Sequence, residues 1–152
     1  PVGIVGYRAA KCTGHVMNSG KNCAEISFVG SDALQVMCGV ARPGLDALRV
    51  SAWTTEPCQF WGYYHDGAMM TGAGGAMYYG GNAHHWAGQQ GYEAEDVLRL
   101  LLDSDAGTLT VKKNGVLLGV AVPEGLTGDL CWAVAVYRAD GVRIKAVDPA
   151  NF

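Results

Sequence analysis

The sequence predicts an all-β protein of two antiparallel sheets packed face to face, and three observations predict it. A bare Asn114-Gly115 pair sits between TLTVKK and VLLGVAV. Asn-Gly supplies the positive φ angles that a two-residue type I′ turn demands, and the twist of that turn matches paired strands. Two further apolar runs, VLRLLLD before the pair and CWAVAVY after it, are each bounded by Gly or Asp. Strands joined by connections this tight run antiparallel. The 22 glycines follow no collagen-like period and fall at the ends of the apolar runs, where turns need them.

Taken in order, residues 1–20 read as a short strand or two punctuated by glycine. Residues 23–30 (CAEISFVG) alternate, with Ala24, Ile26 and Phe28 on one face and Glu25, Ser27 and Val29 on the other. Residues 35–41 (QVMCGVA) are almost wholly apolar, which fits a strand covered on both faces. Strands follow at 49–54 (RVSAWT) and 58–64 (CQFWGYY), and Trp61 within the latter belongs to the core. Short apolar pieces at 68–71 and 76–79 form a hairpin, followed by a long loop that carries His84-His85-Trp86. Residues 93–103 (EAEDVLRLLLD) are ambiguous: Glu, Ala, Leu and Arg favour a helix, and Val97 is the one β-branched residue. Core runs apolar on both sides, in antiparallel strands at short spacing, make a sandwich.

The chain has 152 residues, 49% hydrophobic and 16% charged, so it is expected to form one domain over 1–152 with a core that needs no metal or disulfide staple. Its net charge of −3, with 11 Lys and Arg, lacks the basic footprint of a nucleic-acid binder. The five cysteines are odd in number and spread one per segment; Cys38, Cys58 and Cys131 lie inside apolar runs, where a thiol acts as a small hydrophobe. Reduced thiols and a cytoplasmic setting are therefore expected. No run of about 18 apolar residues and no leader pattern is present, so no membrane partner is expected. A chain that starts at Pro1 reads as processed, or as cut from a longer parent with neighbouring domains.

Candidate chemistry is thin. His84-His85 would point to opposite faces of a strand, and Cys12 with His15 has no second pair, so no metal is expected. No cysteine sits in a catalytic signature, and Asp103 and Asp105 read as turn residues that bind local amides, so no enzyme activity is expected. Gly72-Ala73-Gly74-Gly75 precedes AMYYGG rather than a helix and lacks the anion-binding geometry of a phosphate loop. No cofactor is expected.

The order Asp96-Val97, Leu101-Leu102-Asp103, Gly107-Thr108-Leu109, Lys113-Asn114-Gly115, Leu118-Gly119, Ala133-Val134, Tyr137, Val142-Arg143-Ile144 resembles the C-terminal half of a SPRY domain. Gly39-Val40-Ala41 and Trp61-Gly62-Tyr63 resemble the family's earlier core strands, so the resemblance covers roughly residues 20–146 and is strongest over 35–146. It implies a SPRY-like, concanavalin-like β-sandwich and makes 97–103 a strand. It also implies a module that binds an extended peptide segment of a partner protein through loops at one end of the sandwich. Carried over by position, the ligand-binding residues would be Arg42, Pro43 and Leu45 after the Gly39-Val40-Ala41 strand, Met70 and Thr71, and Tyr137, Arg138 and Asp140, with Trp132 near a loop mouth. The chain departs from the family in reading KK before the Asn-Gly turn, CWAV where YPAV is common, and an insertion at 84–91. Two other readings stand beside this one. A carbohydrate-binding lectin would use Trp86, Tyr92 and Trp132 to stack on sugar rings, and a structural domain would contact only its own chain.

Overall fold

The computed structural model describes residues 8–30, 35–45, 59–72, 82–138 and 141–152. The strands expected at 49–54 and 76–79 and the residues Cys58 and Asp140 lie outside these segments. The described strands are β1 (Arg8–Lys11), β2 (Lys21–Val29), β3 (Gln35–Ala41), β4 (Phe60–Tyr64), β5 (Met69–Gly72), β6 (Asn82–His84), β7 (Leu98–Asp103), β8 (Thr108–Lys113), β9 (Val116–Val122), β10 (Cys131–Arg138) and β11 (Gly141–Val147), with a 3-10 turn at Pro149–Asn151. They form a six-stranded sheet ordered β1-β10-β3-β4-β5-β6 and a five-stranded sheet ordered β11-β2-β7-β8-β9, antiparallel throughout. No helix among the described residues is long and apolar enough to cross a membrane.

Period-two alternation builds the core between the sheets. Ala24 and Ile26 of β2, Leu98, Leu100 and Leu102 of β7, and Leu109 and Val111 of β8 are buried there. They meet Val36, Cys38 and Val40 of β3, Tyr63 of β4, and Trp132 and Val134 of β10. Phe28 packs partly on the same core and stacks on Tyr92 with ring centroids 5.1 Å apart. Glu25 faces outward, where Arg99 of β7 donates to it at 2.9 Å. The other face of β3 is buried too: Met37 and Ala41 form a second cluster with Leu45, Phe60, Ala133 and Ala135. That double cover is why residues 35–41 carry no alternation.

Residues 98–103 form a strand despite their helical composition. Between β2 and β8 every second residue is buried, whereas a helix would turn Leu100 away from Leu98 and Leu102. The Asn114-Gly115 pair has φ of 50° and 80°, the two positive angles of a type I′ turn, and closes β8 onto β9 with Lys113 opposite Val116. Asn114 also ties in the residues that precede β7, since its Oδ1 accepts from Val97 N at 2.9 Å and its Nδ2 donates to Asp96 Oδ1 at 2.6 Å. Among the described strands β9 is the outer one of its sheet, and its register against β8 shifts twice, between Leu109 and Thr110 and between Val111 and Lys112. These bulges bend it away from a flat edge.

Candidate functional site

The loop after β3 is held from two sides. Lys11 Nζ donates to Pro43 O at 2.6 Å and also to Leu45 O. Arg42 Nη1 donates to Thr127 O and, at 3.2 Å, to Asp129 O, so the guanidinium joins this loop to the β9–β10 connection. The same guanidinium lies 5.3 Å from the centre of the Trp61 ring. Pro43 and Gly44 remain at the surface.

Two of the residues picked from the sequence face inward. Leu45 is 3% exposed in the outer cluster, where its side chain packs with Phe60 and Ala41. Trp132 is also 3% exposed, because alternation along β10 turns it with Val134 into the main core. Neither offers a partner any surface.

The register also separates residues expected at one end of the sandwich. Ala41 pairs with Cys131, whereas Arg138 pairs with Gln35. Arg42 and Pro43 therefore sit at one end of the six-stranded sheet, and Tyr137 and Arg138 at the other, about 20 Å away at 3.3 Å per residue. Thr71 pairs with Trp61 and Met70 with Gly62, which places both toward the Arg42 end.

Sequence reasoning missed a cleft between the outer strands of the two sheets. Trp61, Met69, His84 and His85 form one wall, Val120, Ala121, Val122 and Pro123 the other, and Trp86 closes it, around a volume of about 410 Å³. Trp86 is fixed in place: its Nε1 donates to Gly67 O at 2.9 Å, and its ring meets Tyr63 edge-on at 6.0 Å. The turn that carries it lies hard against β9, so close that a Cβ on Gly88 would fall 1.8 Å from Leu118 O. Only glycine permits that approach. Available signals were the aromatic residue in the 84–91 insertion and the uncharged sequence of the outer strand, VLLGVAV.

Other groups serve the fold. Asp103 Oδ1 accepts from the amides of Asp105 and Ala106 at 3.1 and 2.9 Å, and Asp105 accepts from Gly20 N at 3.0 Å. His85 Nδ1 lies 2.9 Å from Gln89 Oε1. No group of three or more His, Cys, Asp or Glu side chains among the described residues is arranged to hold a metal. Burial pushes the Cys38 thiol up to about 12, which removes it as a nucleophile near neutral pH.

The two-sheet arrangement matches solved structures over nearly the whole chain. The crystal structure of the SPRY domain of human HERC1 superposes with a TM-score of 0.64 at 19% identity, covering 95% of this chain and 84% of that one. The fold is that of a SPRY domain. The SPRY-fold PSpry domain of TRIM65 is similar in the same way, with a TM-score of 0.60 at 16% identity, covering 93% of this chain and 70% of that one. No family model matches the sequence, and no curated protein matches it.

Proposed function

We propose that this SPRY-fold domain is a non-catalytic module that binds an extended segment of a partner protein through its loops. The observation that carries this reading is the loop at 42–45, which Lys11 and Arg42 anchor to its neighbours while Pro43 and Gly44 stay at the surface. A loop already fixed loses little entropy when a partner docks, so more of the contact energy appears as affinity. Arg42, Pro43 and the strand positions Met70 and Thr71 make the first subsite. Tyr137 and Arg138 make a second one at the far end of the six-stranded sheet. A segment touching both would span about 20 Å, the reach of roughly six extended residues. Arg42 spends Nη1 on the loops, so its remaining N–H groups are the donors for a partner carbonyl or carboxylate.

A lectin role fits less well. Tyr92 and Trp132, two of its three candidate stacking residues, are 2% and 3% exposed. The reading is tested by selecting random displayed peptides against the domain and titrating synthetic copies of those enriched. Arg42→Ala and Arg138→Ala are each expected to weaken binding by about 2 kcal/mol, roughly thirtyfold. Failure of any peptide to enrich would refute the reading.

A further inference from the structure

We propose that the cleft between β6 and β9 receives one bulky apolar side chain, aromatic or leucine-like, of a bound extended segment, with an acidic residue of that segment beside it facing Arg42. This rests on the reading of the domain as a peptide-binding module and names where the segment anchors and what chemistry it carries.

The strand that walls the cleft is unusual for its position. An outer strand normally carries Lys, Glu or Pro to stop other strands from pairing with it. Here β9 has seven residues without a charge, and Val116, Leu117 and Val120 are 63%, 59% and 48% exposed. Open-ended pairing is hindered by other means, the two register shifts and the turn lying on Leu118. What stays accessible is an apolar surface that runs into a concave site at Val120. Exposed apolar side chains that border a concave site, as Val120 does here, mark it as a binding surface.

Shape and charge select the occupant. About 410 Å³ is within the range of small binding pockets and exceeds one large side chain, so a Trp, Phe or Leu fits with part of its backbone. The two indoles of the lining, Trp61 and Trp86, suit an aromatic group, and Met69 adds a polarisable sulfur. Among the described residues no carboxylate or amide side chain lines the cleft, so the hydroxyls of a sugar would find few partners there. The chain has 14 acidic residues and a net charge of −3, yet the ionisable groups in the lining are the bases His84 and His85. Arg42 adds a permanent positive charge against Trp61, the residue where the cleft meets the anchored loop. Such a site favours a carboxylate next to the apolar anchor.

The test uses peptides enriched by display on the wild-type domain, synthesised with a fluorescent label. They are expected to share a Trp, Phe or Leu with a neighbouring Asp or Glu. Changing either to Ala or Lys should weaken binding at least about tenfold. Val120→Glu alters an exposed position and is expected to weaken binding by a similar factor with the melting temperature unchanged, whereas Trp86→Ala should weaken binding likewise but also lower the melting temperature, because its ring packs on Tyr63 and its Nε1 donates to Gly67 O. Enriched peptides that bind Val120→Glu and Trp86→Ala as tightly as wild type would overturn the cleft as the anchor and leave the general reading standing. The absence of any enriched peptide would overturn both. A dimer seen by sedimentation and abolished by Val120→Glu would assign the cleft to a second copy and overturn the proposal.

Discussion

Cys38 sits wholly inside the sandwich, with its sulfur 3.8 Å from Tyr63 O and 3.7 Å from the Tyr92 hydroxyl. Burial raises its pKa to about 12, and burial likewise raises those of Cys23 and Cys131. A raised pKa leaves less thiolate at neutral pH, and thiolate is the form that reacts. Among the four described cysteines, Cys12 is the half-buried one. Brief alkylation of the native protein at neutral pH is expected to label Cys12 well before Cys23, Cys38 and Cys131, which should react only on unfolding. Mass spectrometry that found Cys38 labelled as fast as Cys12 would contradict the burial. The apolar flanks of Cys38 and Cys131 made their interior positions legible in the sequence. Trp132 was harder to place, because a residue at the start of a strand can lie at a mouth or in the core, and only the inward alternation of β10 decides.

At the level of elements, the hairpin was the most legible feature, since Asn-Gly encodes its geometry within two residues. Replacing Gly115 with Val puts a β-branched side chain at φ of 80°. Space is not the obstacle, because a Cβ there meets nothing within 4 Å. The backbone strain alone is expected to cost about 1–3 kcal/mol, read as a lower melting temperature. An unchanged melting temperature would mean that the turn tolerates another conformation. Strand β7 shows where local reading fails. Its Leu and Arg prefer a helix by tenths of a kcal/mol each, and pairing on both sides with burial of Leu98, Leu100 and Leu102 outweighs that. The turn ahead of it adds a further tie. Burial alone would raise the Asp96 pKa, but hydrogen bonds from Glu93 N and Asn114 Nδ2 and the charge of Lys113 bring it below its usual value.

Across the whole molecule, strand order was not legible, because it depends on partners far apart in the chain. The cleft draws on residues from Trp61 to Pro123, and the ends of β10 part Arg42 from Arg138, while a linear motif records neither fact. One of these long-range pairings also bears on how the protein is made. Strand β10 lies between β1 and β3, and β11 completes the other sheet against β2, so each sheet waits for a strand made after β1–β9. Until then β3, buried on both faces in the finished fold, presents Val36 to Val40 as a bare apolar edge. Non-local pairing is slow, and such an edge invites aggregation. A chain that stops before Cys131 is expected to show no cooperative thermal transition and to bind a hydrophobic dye. A cooperative melt from that fragment would mean that the described strands β1–β9 fold without β10. Nascent chains of this protein should therefore depend on chaperones until β10 and β11 have left the ribosome.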